Sequence, residues 1–530
     1  MTAAEIDLST LPPELRAFIE AERASRAVLE GEKAALREQL TSLAEQNRRL
    51  EHLVKEFRQA LHGRKSEKLS ADARQLAFED LETAVAETEA PRSASGLPRR
   101  PARAQEAKRN LGRLPRELPR VEHVVEPASI LCPCGCGEMT RIGEERTERL
   151  DIVPAQFRVI VTVRPKYACR RCSGSMAQAS APAHLIEGAL PTEGLIAHVL
   201  VTKYADHVPL YRQSQIYARA GLDLHRSTLA DWVGKASFHL RPVFDRLEEH
   251  LKRSGKLFMD ETTAPVLDPG RGRTKTGYLW ALARDDRRWG GTDPPGVVYF
   301  YAPGRGAEHA EEMLRGFAGV LQVDGYSAYK TVARKRPSEA PLTLAHCWAH
   351  GRRQLRELFD RDASPIAEAG LRQIADLYAV EADIKGQSPE KRRAERQARS
   401  KPIVTAFGTW LAEVRAKVSP KSRMGEKLGY FANHWDGLQV FLDDGRVEID
   451  NNAVENLIRP LTLNRKNALF AGHDEGGCNW GRIASLIQTA KLNGIEPFAY
   501  LTATLEALAK GHPQSRIDEL MPWSAKPASS

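Results

Sequence analysis

The chain has 530 residues, 42% of them apolar and 28% charged, with a formal net charge of +9 and a pI near 9.1. That length suits about two to four domains with sizeable cores, and the basic excess is compatible with a nucleic-acid partner without proving one. The opening MTAAEIDLSTLPPEL has neither a basic start nor an apolar run, and no apolar stretch is long enough for a bilayer, so a secretory leader and a membrane partner are not expected.

Residues 1–70 read as a coiled-coil helix. Leu29, Leu36, Leu43, Leu50 and Phe57 recur every seventh residue, with Leu40, Asn47, Val54 and Leu61 as the companion row. An Asn in such a seam fixes register and favours a homodimer, whereas a helix packed on its own domain is the alternative. The basic turn after it, GRKSEKL, is placed to touch phosphates. Residues 71–120 shift to Pro, Arg, Ala, Glu and Ser and read as a disordered linker.

Residues 121–190 form the candidate zinc-binding domain. Five of the seven cysteines lie there, and an odd, closely spaced set suits metal in a reducing cytoplasm better than disulfides. Cys169 and Cys172 make one C-x-x-C half. The other half comes from Cys132, Cys134 and Cys136, and five thiols exceed the four that a tetrahedral zinc takes. Cys132 with Cys136 and Cys134 with Cys136 both serve, so the choice stays open. The alternating run Phe157–Val163 between the halves resembles the strand of a zinc ribbon. Arg164, Lys166, Arg170 and Arg171 around it suit DNA.

Residues 191–252 read as helical, with a helix–turn–helix layout from Leu210 through Gly221 to Val233, and with Ser227 and Thr228 opening the second helix. A plain helical hairpin has the same pattern. Residues 253–480 read as an α/β core. Strands are expected over FMDETTAPV, GYLWALAR, VVYFY, VLQVD and Leu342–Cys347, with a helix from Ala307 to Phe317. This β-β-β-α-β-α-β order is that of a ribonuclease-H-like fold, in which Asp260 and Asp324 converge at one sheet edge. A helical insertion is expected over about residues 364–440, with its basic run KRRAERQARSK as a solvated face or loop. Cys347 and His350, spaced C-x-x-H, read either as a structural site or as a packed Cys beside an exposed His.

The stretch from Phe441 to Gly477 packs acids, amides and bases around one helix. Asp450 or Asn451 caps it; Asn451, Asn452, Glu455 and Arg459 share a face; Pro460 is expected to stop or kink it. Asp443, Asp444, Glu448, Asp450 and Glu261 are rival acids, with Glu261 expected on the strand face opposite Asp260. Residues 481–530 read as a C-terminal helical tail.

The segments GRKSEKL, CPCGCGEM…RPKYACRRC, the MDET run, VDGYSAY, HCWAHGRRQ, DDGRVEIDNNAVENLIRPLTLNRKNALFAG and TAKLNGIEPFAYL closely resemble transposases of the insertion-sequence-66 family, in order, from Gly63 to Trp523. The resemblance implies a DDE triad of Asp260, Asp324 and Glu455, a zinc-binding segment, a helix–turn–helix and a C-terminal tail. It departs at Gly135, which stands where many relatives carry the second cysteine of C-P-x-C-G. The implied chemistry uses two Mg²⁺ or Mn²⁺ ions on the triad, one structural Zn²⁺, and Arg459 and Lys466 against phosphates. The implied function is a nucleoid-associated bacterial DNA transposase that cleaves element ends and transfers strands, acting as a homodimer or higher multimer on double-stranded DNA with or without accessory proteins of the same element. Two alternatives are a catalytically silent zinc-dependent DNA-binding regulator and a stand-alone nuclease of the same fold.

Overall fold

The computed structural model describes residues 156–168, 176–268 and 273–525. The coiled-coil, linker and zinc-ligand expectations, including Cys132, Cys134, Cys136, Cys169 and Cys172 with Arg170 and Arg171, lie outside those residues. A small hairpin pairs β1 (Lys166–Ala168) with β2 (Met176–Gln178).

Among the described residues, three helices precede the main sheet. In α1 (Glu193–Tyr204), Ile196, Ala197, Val199 and Leu200 are all buried, so this largely apolar helix is enclosed. Thr192 caps it by accepting from the Leu195 N–H. Next, α2 (Leu210–Arg219) ends at Gly221, whose φ of +81° suits a residue without a Cβ. The helix α3 (Arg226–Lys252) buries Leu229, Trp232, Val233, Ala236, Leu240, Val243, Leu247 and Leu251, a repeat of three and four residues. These helices share one apolar core with the sheet, so residues 191–252 are not a separately packed unit.

The sheet has five strands: β3 (Lys256–Asp268), β4 (Arg273–Arg284), β5 (Gly296–Ala302), β6 (Gly319–Val323) and β7 (Leu342–His346). Their spatial order is β5-β4-β3-β6-β7. The first two pairings are antiparallel, and β3–β6 and β6–β7 are parallel. The parallel pairings need crossovers, supplied by α4 (Ala307–Met313) before β6 and α5 (Ser327–Lys335) before β7.

After β7 the chain builds a helical unit with its own core: α6 (Trp348–Asp362), α7 (Pro365–Ile384), α8 (Pro389–Glu395), α9 (Lys401–Lys417), α10 (Arg423–Asn433) and α11 (Trp435–Asp443). Trp348, Phe407 and Phe431 pack ring against ring at its centre. The insertion therefore begins earlier than residue 364. Its basic run is solvated on one face only, with Lys391, Arg393 and Lys401 exposed and Arg392 and Arg396 turned inward. Arg392 pairs with Glu448 at 2.9 Å, Arg396 pairs with Glu381 at 2.7 Å, and both guanidiniums are buried. Sequence periodicity could not show this, because the partners come from other segments.

The chain returns through α12 (Asn452–Ala468), α13 (Asp474–Leu492) and α14 (Pro497–Ala509). The boundary expected at residue 480 falls inside α13, and the expected tail is part of the core. Ser485 Oγ accepts from the Tyr299 N–H at 2.7 Å, and Thr489 Oγ1 accepts from the Val297 N–H at 3.1 Å. These hydroxyls serve the open edge of β5, which would otherwise leave donors unpaired. At Gly481 a Cβ would stand 2.4 Å from the Tyr299 carbonyl oxygen, so the close approach requires glycine.

Candidate active site

In the β3–β6 pairing, Lys256 faces Val320 and Phe258 faces Gln322. Two residues further along each strand, the same register brings Asp260 beside Asp324. Asp260 Oδ1 accepts from the Glu261 N–H at 2.8 Å. Asp324 Oδ1 accepts from the N–H groups of Gly325 and Tyr326, at 2.5 and 2.8 Å. Gly325 has a φ of +152°, and a Cβ there would stand 3.0 Å from the rings of His434 and Tyr430. The Tyr430 hydroxyl lies 2.7 Å from the Asp324 carbonyl oxygen and 2.8 Å from that of Cys347, and His434 Nε2 lies 3.1 Å from that of Gly325. The helical insertion thus braces the turn that carries Asp324.

Glu455 arrives from far along the chain, and three ties position it. Gln322, in the middle of β6, accepts from the Glu448 N–H at 2.8 Å and donates to the carbonyls of Glu448 and Asp450 at 3.0 and 3.3 Å. The Trp348 N–H donates to the Ile449 carbonyl at 3.0 Å, and the Asn451 N–H donates to Cys347 Sγ at 3.3 Å. Helix α12 is then fixed on the sheet, because Arg465 donates to the Thr263 carbonyl at 2.6 Å and the Tyr299 hydroxyl donates to the Leu457 carbonyl at 2.6 Å. Of the two expected caps, Asn451 occupies the position without a side-chain bond, and Asp450 Oδ1 accepts from the Asn452 N–H at 3.2 Å. Pro460 does not stop the helix, which continues to Ala468. Burial of Leu461 and the Arg465 contacts hold the second half in place against the local cost of the proline.

The Asp260, Asp324 and Glu455 carboxylates act on one another electrostatically. Burial, reinforced by the charges of Asp324, Glu261 and Glu455, pushes the Asp260 carboxyl well above the usual carboxylate range. Burial also raises Glu455, with His350 and Arg353 pulling the other way and Asp324 adding to the rise. Glu455 Oε1 is buried without a hydrogen-bond partner. The rival acids are otherwise engaged. Glu261 is held by Arg305 and by the Tyr329 hydroxyl, each at 2.5 Å. Glu448 is held by Arg392, Asp444 by Arg446, and Asp443 by the Gln397 amide. Burial pushes Asp450 up to about 6.

The basic neighbours that act on Glu455 are His350 and Arg353, on α6, rather than Arg459. Arg459 and Lys466 are half-buried along α12. Ser227 and Thr228 are exposed in the first turn of α3, where His225 Nδ1 accepts from the Ser227 N–H. Arg164 and Lys166 are exposed, and the Arg164 guanidinium donates to the Ala179 carbonyl at 3.0 Å. Cys347 is buried, and His350 is half-buried with Nδ1 3.7 Å from Glu455 Oε1. Sequence reasoning missed Gln322, Tyr430 and His434, and gave Arg353 no role beyond its place in the basic segment HCWAHGRRQ. For Gln322 the available signal was a lone amide in an apolar strand; for Tyr430 and His434 there was none.

Comparison with known proteins places the chain among the transposases. The chain belongs to the transposase IS66 family: residues 188–479 match that family, 485–523 match the IS66 C-terminal element, and 130–173 match the zinc-finger binding domain of transposase IS66. Residues 49–122 match the family described as transposase C of IS166 homeodomain, across the stretch expected to hold the end of the coiled coil and the linker. The chain is 43% identical to the uncharacterized protein y4qI of Sinorhizobium fredii (strain NBRC 101917 / NGR234), covering 96% of this chain and 94% of that one. It is 44% identical to y4jD of the same strain, covering 80% and 83%. It is 36% identical to y4hP, covering 91% and 89%. No described helix is long and apolar enough to cross a membrane.

Proposed function

We propose that this transposase cleaves the ends of its own element and joins them to target DNA, with Asp260, Asp324 and Glu455 as the acids of a ribonuclease-H-like core. The single observation that carries the reading is the shared register position of Asp260, within β3, and Asp324, just past the end of its parallel neighbour β6, with the orphaned carboxylate oxygen of Glu455 acting on the same group. The mixed five-stranded order supports the fold assignment. The donor set is all oxygen and mutually repelling, which fits hard divalent cations such as Mg²⁺ or Mn²⁺. When bound, two such ions activate the attacking oxygen and stabilise the leaving one. The chain's own part is to hold the carboxylates. Backbone N–H groups orient Asp324, Gln322 sets the segment before α12, and Arg465 fixes that helix on β3. Element-end binding belongs to the cysteine-rich segment, with one Zn²⁺ on four of Cys132, Cys134, Cys136, Cys169 and Cys172, and to the α2–α3 hairpin. Pairing of two chains through the N-terminal helix brings two ends together.

The test is cleavage of a labelled element end by purified protein with Mg²⁺. Asp260→Asn, Asp324→Asn and Glu455→Gln each keep shape and remove a charge. Each is expected to abolish cleavage and joining while end binding stays near wild type. Near-wild-type cleavage by any one variant removes that residue from the site.

A further inference from the structure

Beside the carboxylates lies a donor set of different character. Cys347, His350 and Glu455 offer ligand atoms that all lie within 4.8 Å of one another. His350 Nδ1 and Glu455 Oε1 are 3.7 Å apart, too far for a hydrogen bond, and both are buried without a hydrogen-bond partner. Two donors about 2.0–2.3 Å from one ion at tetrahedral angles stand roughly 3.3–3.8 Å apart, so the spacing suits shared coordination. Cys347 Sγ accepts from the Asn451 N–H at 3.3 Å and from the His350 N–H, which favours negative sulfur, but burial together with the Glu455 and Asp450 charges pushes the thiol well above its ordinary range, so a bound cation must draw off its proton. Cys347 stands at the N-cap of α6, where the helix dipole also favours negative sulfur. The first turn of that helix brings His350 back over Cys347.

We propose that Cys347, His350 and Glu455 bind one zinc-class divalent ion, in addition to any ion held by the cysteine-rich segment. A thiolate, an imidazole and a carboxylate suit zinc and do not suit Mg²⁺. Three protein ligands leave a fourth position for water or a phosphate oxygen. Binding displaces the Cys347 thiol proton to solvent. An ion there also commits the Glu455 carboxylate, so zinc and the hard-ion set compete for it; this consequence alone rests on the catalytic reading above.

The full-length protein, equilibrated with micromolar zinc and desalted, is analysed for metal per chain. The wild type is expected to carry one zinc more than Cys347→Ala or His350→Gln. Cys172→Ser is expected to lose a different zinc, so that Cys172→Ser combined with Cys347→Ala loses both. After cobalt replacement, the thiolate-to-cobalt absorption retained by Cys172→Ser should vanish in that double variant. His350→Gln alters a half-buried side chain, so the result does not depend on a fully buried position. Equal zinc content in wild type, Cys347→Ala and His350→Gln overturns the proposal. The count needs no activity, so it stands even if the Asp260, Asp324 and Glu455 variants cleave normally.

Discussion

Gln322 offers the sharpest test of how the distant Glu455 is positioned. Its side chain is 1% exposed and makes three hydrogen bonds to the Glu448–Asp450 backbone. Gln322→Ala leaves the buried Glu448 N–H and two carbonyls without their partners. A buried group stripped of its partner costs about 1–3 kcal/mol, and carbonyls tolerate the loss better than N–H groups, so the local penalty is about 2–4 kcal/mol. That corresponds to roughly 30- to 900-fold in the local opening constant. Hydrogen exchange at the Glu448 amide reads it directly, and protection there is expected to fall by that factor. Cleavage should drop as well, because the freed segment leads straight into the helix of Glu455. Gln322→Glu keeps the acceptor for the Glu448 N–H but sets a carboxylate against two carbonyls, so it should be no milder. If Gln322→Ala leaves Glu448 protection within about threefold of wild type, the clamp does not position Glu455 and the reasoning fails.

Asp450 gives a pH signature. Burial raises its folded pKa from 3.8 to about 6, so the ionised form opposes folding. The stability it allows is full below pH 3.8 and is lost as pH rises through about 6, and Asp450→Asn should therefore stabilise the protein at pH 8 by on the order of 3 kcal/mol. That gain should vanish near pH 3.8, as denaturant unfolding at the two pH values would show. Tyr430→Phe removes a hydroxyl shared by the Asp324 and Cys347 carbonyls, and should cost about 1 kcal/mol of stability and a measurable part of the cleavage rate. Thr489→Val strips the Val297 N–H of its partner at the sheet edge, and should destabilise by about 1–3 kcal/mol in thermal unfolding although it lies far from the acids in sequence.

The strands were legible because each is an apolar run of strand length bounded by turn residues, and the observed spans match the expected ones within a few residues. Asp260 and Asp324 were legible for the same reason, since each ends or interrupts such a run. Glu455 stood out because its amides and arginine recur at helical spacing. What stayed hidden depends on long-range partners. The arginines at 392 and 396 look solvated until Glu381 and Glu448 arrive from other segments. Residues 481–492 carry an apolar stripe of Ile483, Leu486, Ile487 and Ala490, but nothing local says that Gly481, Ser485 and Thr489 meet the sheet edge. Their role appears only against the N–H row of β5. Pro460 reads as a helix end because local sequence carries no sign that Arg465 will anchor the next turn.

The helical insertion shows how the proposed triad can be split so far along a chain. It leaves the sheet at Cys347 and returns at Ile449–Asn451, and the two ends touch through the Trp348–Ile449 and Asn451–Cys347 hydrogen bonds. Between those points the chain packs on its own core, so the sheet meets the whole unit as if it were a short connection. The entropy of closing so long a loop grows only slowly with length and is offset within the insertion itself. Yet the unit is not passive. Tyr430 and His434 reach back from it to the carbonyls of Asp324, Gly325 and Cys347, and His350 and Arg353 on its first helix act on the Glu455 carboxylate. Replacing the insertion by a short linker would restore the connection but remove these groups, and with them the bracing of two of the three proposed acids.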